Sequence, residues 1–507
     1  MTAKTGWWTN AVFYEIFVRS FSDSNGDGKG DLNGITAKLD YLQQLGITGI
    51  WLMPINPSPS YHGYDVIDYR GVNPDYGTLN DFKNLLNEAH KRGIKIIIDY
   101  VLNHTSVQNP WFIAAQNTQS DKHDWYIWSV TDPGYAGPFG GTAWHKNAIT
   151  GTYYYAIFDK SMPDLNYRNA DVSKEMEDIT RFWLKDVGID GLRLDAARHL
   201  IEEGKAQSNT RSTHAWYQQF YTFYKNINPN ALTIGEVWDS VSAMAPYVKN
   251  NELDLVFNFN LANAYVNGVR SRNANQLRGA VQYDLTYMPF NQYGSFLTNH
   301  DMDRVMSQFS SDMARMKSAA VLYLTGPGVP FIYYGEEIGM TGSKPDEDIR
   351  TPMQWSAEAN AGFTTGKPWE SVHGDYINKN VAAQSLDPNA LLPLYRRLVA
   401  LRKEHSALRQ GNYVPIDCGN EYVYAALRTS DTESILIVLN LSDSPQKAYG
   451  LSLPASALRG KYLPDPLLGE AAGTYATLKV GAQGEFDAYM PLPELPSGAR
   501  LVLMLTQ

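Results

Sequence analysis

The stretch KIIIDYVLNH, residues 95–104, is entered from Gly93-Ile94 as a nearly unbroken apolar run and closes on Asp99, Asn103 and His104. A strand with one wet face alternates apolar and polar side chains; a strand covered on both faces is apolar throughout. The run therefore predicts a strand inside a parallel sheet, with polar residues gathered at its C-terminal end. The pattern recurs at AVFYEIFVRSF (11–21), GITGIWLMP (46–54), GIDGLRLDAARH (188–199) and ALTIGEVW (231–238). DLVFNF (254–259), GSFLTNHD (294–301) and VPFIYYGEE (329–337) complete the set. Between most of them lie segments with apolar residues at helical spacing, such as DFKNLLNEAHKRG (81–93) and KEMEDITRFWLKDVG (174–188). Eight buried strands alternating with helices predict an α/β fold, a parallel (β/α)8 TIM barrel.

Two segments break the rhythm. Residues 105–167 follow the third strand, are rich in Trp, Tyr, Gly and Asn, and lack helical periodicity. Structureless loops of that length are uncommon, so the segment is expected to be an inserted functional domain. Beyond residue 410 the runs YVYAALR, SILIVLNL and ARLVLMLT, separated by turn residues, predict an appended antiparallel β-sandwich. The expected organisation is a barrel in two parts, 1–104 and 168–410, an insertion at 105–167 and a sandwich at 411–507.

Bulk properties narrow the class of ligand. A net charge of −10 argues against nucleic acid, which needs basic surface. No apolar run is long enough to span a bilayer, and MTAKTGWWTN lacks the apolar core of a signal peptide. A chain complete as written is expected in the cytoplasm; one that has lost a leader would be secreted or periplasmic. A single cysteine, Cys418, rules out an intrachain disulfide. With 33 Tyr, 18 Phe and 12 Trp the chain is rich in flat rings, which fill cores and also line sugar clefts. A monomer is expected.

The strand ends carry the chemistry. Asp99, Asn103 and His104 close the third, Arg193 and Asp195 the fourth, Glu236 the fifth, and His300 and Asp301 the seventh. In such a barrel these ends converge on one mouth. Any one of them could be a helix cap or a loop hydrogen bond. Several carboxylates together are what glycosidic bond cleavage requires, one acting as acid and another as base or nucleophile. Arg193, two residues before Asp195, points to the same side of the strand and can keep that carboxylate ionised.

These residues resemble the α-amylase superfamily, glycoside hydrolase family 13, over essentially the full length. DYVLNH (99–104), GLRLDAARH (191–199), GEVW (235–238) and FLTNHD (296–301) are similar to its four main motifs, in order. MPDLN (162–166) is similar to a fifth and resembles the intermediate group between oligo-1,6-glucosidases and neopullulanases. The resemblance implies that Asp195 is the nucleophile, Glu236 the acid/base and Asp301 the transition-state stabiliser. It implies that His104 and His300 hydrogen-bond a glycone sugar, and that Tyr64, within YHGYD (61–65), stacks beneath the ring being cleaved. His62 and Asp65 belong to the same stretch: Asp65 is similar to exo-acting members and His62 to endo-acting ones. Asp346 and Arg350, within DEDIR, resemble a clamp on the next glycone unit, and Arg198 and His199 resemble acceptor-side contacts of α-amylases.

A cation is also expected. Counted from Asp23, the stretch DSNGDGKGD offers Asp23, Asn25, Asp27 and the Lys29 carbonyl at the first, third, fifth and seventh positions of a calcium loop, with Gly28 at the sixth. The bidentate Glu of an EF-hand is missing, since Gly34 stands there. The resemblance explains this, because oligo-1,6-glucosidase-like members hold a structural cation in this strand-to-helix loop; Asp31 would be its fifth ligand. Asn103, Asp164 and His199 resemble a second calcium site bridging barrel and insertion, with ordinary interdomain hydrogen bonding as the alternative.

The resulting expectation is a retaining hydrolase of α-1,4-glucans or maltooligosaccharides with structural calcium. The alternative is a 4-α-glucanotransferase, in which a sugar hydroxyl replaces water. A non-catalytic relative, such as a transporter heavy chain, would have lost the carboxylates that this chain keeps.

Overall fold

The computed structural model describes residues 5–469 and 474–507. The first four residues of the expected barrel and four within the expected sandwich lie outside the described residues. Eight parallel strands close the barrel: β1 (Phe13–Ile16), β2 (Gly49–Leu52), β3 (Lys95–Tyr100), β4 (Gly191–Leu194), β5 (Leu232–Gly235), β6 (Leu255–Phe257), β7 (Tyr293–Ser295) and β8 (Val329–Tyr333). Each pairs with its sequence neighbours, and β8 pairs with β1. Successive side chains feed two cores. Phe13, Trp51, Ile97, Ile234, Phe257 and Phe331 fill the barrel interior, where Phe13 and Phe331 stack at 4.4 Å. Tyr14, Ile50, Ile98 and Leu192 pack outward under the helices. Both faces being dry is why these strands do not alternate.

The helix Leu79–Lys91 illustrates how local sequence sets an element. Thr78 Oγ1 accepts from the Asp81 amide at 3.2 Å and the Asp81 carboxylate accepts from the Thr78 amide at 2.8 Å, a reciprocal cap. Phe82, Leu85, Leu86 and Ala89 form the buried stripe. Thr78→Ala would cost about 1 kcal/mol. The segment expected to be helical over 174–188 is an α-helix from Ala170 to Arg181, widening into a π-type turn over Phe182–Val187.

The insertion carries a three-stranded sheet of Trp128–Ser129, Tyr153–Tyr155 and Trp144–Lys146. It also holds a helix the sequence reading missed, Pro110–Ala115, capped by the Asn109 side chain. Six residues are too few to display a period. The chain returns beside the end of β3, where the Leu165 amide donates to the Asn103 carbonyl at 2.8 Å. The C-terminal strands form a six-stranded antiparallel sheet facing a two-stranded one, with Leu427, Leu436, Leu451 and Phe486 in the shared core. Arg428 docks this unit by donating to carbonyls of Ala407, Leu408 and Gly326. Among the described residues no helix is long and apolar enough to cross a membrane.

Candidate active site

Beyond the C-terminal strand ends lies a cleft of about 730 Å3. Asp195, Glu236 and Asp301 line it together with His62, Tyr64, His104, Arg198, His199, Asp346 and Arg350. Strands β3, β4 and β5 set the centre. Asp99 and Arg193 are register partners on β3 and β4, and Arg193 Nη1 donates to Asp99 Oδ1 at 2.9 Å. The same nitrogen reaches Asp195 Oδ1 at 2.6 Å, while Nη2 reaches Glu236 Oε2 at 2.6 Å. One fully buried guanidinium thus holds the Asp195 and Glu236 carboxyls side by side from beneath.

Their surroundings shift the three carboxyls differently. Burial, with Asp195 and Asp301 adding to it and Arg193 opposing, raises Glu236 to about 7. Burial also raises Asp195, to about 6, with Arg193 opposing. Asp301 goes the other way: burial is outweighed by His300 and Arg350, which hold it far below the usual range. Arg350 Nη2 lies 2.9 Å from Asp301 Oδ1 and 2.9 Å from Asp346 Oδ2. The most readily protonated carboxyl is the one expected to donate a proton.

His300 is not a free sugar donor in this arrangement. Burial would lower its pKa, but Asp301 and Glu15 raise it to about 9. Its Nδ1 faces Glu15 at 2.5 Å, and Nε2 lies 2.7 Å from the Tyr64 hydroxyl and 3.2 Å from Asp301. It therefore charges Asp301 and orients Tyr64 from behind the cleft floor. Asp65 also departs from expectation: it does not line the cleft, because its carboxylate accepts from Ser58 and Ser60. Arg193 lies below the surface and positions rather than touches.

The remaining expected residues are in the cleft wall. Burial keeps His104 neutral, lowering it to about 3, with Nε2 3.2 Å from the Tyr64 carbonyl. Burial lowers His62 too, with Asp65 opposing. Arg198 donates to Asp239 at 2.9 Å and to His199 Nε2 at 2.9 Å. Sequence reasoning missed Glu15, Trp238, Phe139, Phe158 and Lys344. Trp238 is 41% exposed and stacks on Phe259 at 4.2 Å, a ring face open to the cleft. Its place directly after Glu236 and Val237 was the available signal.

The Asp23–Asp31 loop is folded around its own oxygens. Asp23 accepts from the amides of Asn25, Gly26 and Gly28 and from Thr364 Oγ1 at 2.5 Å. Asp31 accepts from the Ser24 and Gly34 amides and caps the next helix. Gly28 sits at φ +93, and a Cβ there would meet the Lys367 carbonyl at 1.8 Å, so the tight turn demands glycine. Asn25 Oδ1 and Asp27 Oδ1 each accept one amide, leaving further lone pairs. An all-oxygen set with three carboxylates fits a hard cation, though Asp23 already has its acceptor positions filled. At the second position the residues are paired with one another. Asn103 Nδ2 donates to the His199 carbonyl at 2.8 Å, and the His199 ring is bonded at both nitrogens. The Ile157 amide donates to Asp164 at 3.0 Å, and burial raises that carboxyl well above its usual range.

Paired carboxyls in a cleft at the C-terminal mouth of a (β/α)8 barrel are the arrangement that glycosidic bond cleavage requires, and residues 15–411 match the α-amylase catalytic domain family. The chain belongs to that family and is a retaining glycoside hydrolase. It is 40% identical over 443 residues to α-amylase 3 of Dictyoglomus thermophilum, covering 86% of this chain and 85% of that protein. Oligo-1,6-glucosidase of Parageobacillus thermoglucosidasius is 35% identical over 512 residues, covering 86% and 91%. The crystal structure of the α-amylase from H. orenii superposes with a TM-score of 0.85 at 36% identity, covering 98% of this chain and 99% of that one.

Proposed function

We propose that this enzyme hydrolyses α-1,4-glucosidic bonds in starch-type glucans or maltooligosaccharides. The observation that carries the reading is Ala196, which lines the cleft beside the nucleophile in a left-handed conformation at φ +47. A β-branched side chain is disfavoured at that φ, so the acceptor side is kept open by a methyl group only. In the proposed sequence the Asp195 carboxylate attacks the anomeric carbon while Glu236 gives its proton to the departing sugar oxygen. Glu236, now a carboxylate, then takes a proton from water, which displaces Asp195 with overall retention. Asp301, held ionised, stabilises the positive charge that develops on the ring.

Transfer to a sugar acceptor is the second reading, favoured by the exposed rings of Trp238 and Phe139 in the cleft wall. Analysis of products from maltotetraose decides between them. Only shorter products support hydrolysis; products longer than the substrate support transfer. We also propose a structural calcium ion held by Asn25, Asp27, Asp31 and the Lys29 carbonyl, with Asp23 joining by giving up one of its present donors; none of these residues lines the cleft.

A further inference from the structure

The loop that leaves β5 carries Glu236, Trp238 and Asp239 in close succession. Glu236 and Trp238 line the cleft; Asp239 does not. Its carboxylate instead collects donors from behind the wall. Oδ1 accepts from the Ser240 amide at 2.6 Å, while Oδ2 accepts from Arg198 Nη1 at 2.9 Å and from Asn209 Nδ2 at 2.8 Å. Burial would raise that carboxyl, but the Ser240 amide, Asn209 and Arg198 hold it below its usual range. Asn209 is itself anchored: Tyr247 donates to its Oδ1 at 3.0 Å, and its amide donates to the Arg198 carbonyl at 2.8 Å.

The Arg198 guanidinium is held on a second edge as well. Arg198 Nε donates to His199 Nε2 at 2.9 Å, and His199 Nδ1 lies 2.9 Å from the Gln207 carbonyl. Burial lowers His199 to about 4, so the ring is neutral, and a ring that accepts at Nε2 carries its proton on Nδ1. His199 therefore has no N–H left for a sugar, although it lines the cleft. Arg198 lines the cleft too, and its Nη2 has no protein acceptor among the described residues. That nitrogen is open to solvent, not sealed in the wall.

Glu236 stands on the same wall. The Ala197 amide donates to the Glu236 carbonyl at 3.0 Å, which ties the loop after β4 to the loop after β5. Asp346 and Arg350 follow β8, which lies across the closed barrel from β4. A proton donor must sit beside the oxygen that departs, so the sugar leaving with that oxygen lies against the Arg198 wall.

We propose that Asp239 is a positioning residue for the acceptor side: with His199 it fixes the Arg198 guanidinium so that Nη2 donates to a hydroxyl of the departing sugar. Asp239 touches no substrate and acts only through Arg198. The inference rests on the proposed roles of Asp195 and Glu236, not on the α-1,4 linkage. Asn cannot take its place, because an amide offers one acceptor oxygen where donors now approach two.

The test pairs two substrates with the same glycone. Maltotriose loses a glucose unit, whereas α-maltosyl fluoride loses only fluoride and leaves the acceptor side empty. Asp239→Asn should lower the ratio of kcat/KM on maltotriose to that on the fluoride by about tenfold, with most of the change in KM, the scale of one hydrogen bond from a charged donor. Asp239→Glu keeps the charge and should recover part of that loss. In an Arg198→Met background Asp239→Asn should move the ratio no further. Equal losses on both substrates, or a full further loss in the Arg198→Met background, would make Asp239 a structural residue only and overturn the proposal. An unmodified enzyme that cleaves α-maltosyl fluoride but not maltotriose would sink the α-1,4 reading instead. Isomaltotriose paired with α-isomaltosyl fluoride would then put Asp239 to the same test.

Discussion

Arg193 Nη2 lies 2.6 Å from Glu236 Oε2, and the other arm of the same guanidinium lies 2.6 Å from Asp195 Oδ1. One buried cation therefore offsets the burial of two carboxyls whose ionisation states must differ. Turnover needs Asp195 ionised and Glu236 protonated, so kcat/KM should rise through about pH 6 and fall through about pH 7. Removing the charge with Arg193→Gln raises both carboxyls, so the whole profile should move to higher pH with a lower maximum. Arg193→Lys keeps the charge and should leave the limbs near their original positions. A pH–rate series of the three proteins decides it; a shift to lower pH in Arg193→Gln would refute the assignment.

Asp195→Asn, Glu236→Gln and Asp301→Asn should each lower kcat by at least about 10²-fold. Each swap keeps the shape and deletes nucleophilicity, proton transfer or charge. Far-ultraviolet spectra and melting temperatures should show folded proteins. A variant retaining a tenth of wild-type turnover would lose its assigned role.

How much of this was legible depended on whether a residue's task lay within its own strand. KIIIDY and GLRLD could be read as barrel strands because burial on both faces writes itself into consecutive apolar residues. That Asp195, Glu236 and Asp301 would share one cleft was legible because each stands just beyond the C-terminal end of such a strand. His300 was found, but its partner Glu15 was not: the two are 285 residues apart and meet only when β7 closes near β1. Asp65 shares its stretch with His62 and Tyr64, yet local hydrogen bonds to Ser58 and Ser60 turn it from the cleft. Spacing cannot reveal such a choice.

Glu336 follows β8 and is buried where only Tyr323 and Tyr395 donate to its Oε1, at 2.7 and 2.8 Å, while Oε2 has no partner. Burial raises it to about 8. The unfolded chain loses this proton near the ordinary value of 4.5, so between there and pH 8 the folded state binds the extra proton. Stability should therefore fall as pH rises through that window, by up to ~1.4 kcal/mol per pH unit from this group. Glu336→Gln removes that slope. Chemical denaturation at pH 5 and pH 8 should show the variant gaining on wild type at the higher pH; a gain at pH 5 instead would contradict the argument.

Calcium should raise the melting temperature of chelator-treated protein by a few degrees, because an ion bound only by the folded state shifts the equilibrium toward it. Asp27→Asn should abolish that rise, since the Asp27 carboxylate keeps free acceptor positions in the loop. Scanning calorimetry with and without calcium tests both. An unchanged melting temperature at millimolar calcium would dismiss the ion.

The linkage preference should turn on Ala196. Its side chain borders the cleft directly after Asp195, and the proposed reading puts it beside the sugar that departs. An α-1,4 acceptor and an α-1,6 acceptor enter at different angles, and a methyl group leaves the former angle open. The unmodified enzyme should therefore cleave maltotriose faster than isomaltotriose. Ala196→Val places two further carbons against the acceptor and asks a β-branched residue to hold φ +47, which such residues resist. The variant should lose kcat/KM on maltotriose and change the ratio between the two sugars by about tenfold, within the ~1–3 kcal/mol that a methylene-scale contact can discriminate. Ala196→Gly relieves the crowding without the strain and should retain the preference for maltotriose. Rates on both trisaccharides for the three proteins settle the point. Isomaltotriose cleaved as fast as maltotriose by the unmodified enzyme would refute the α-1,4 reading, and a ratio unmoved by Ala196→Val would place the discrimination elsewhere in the cleft.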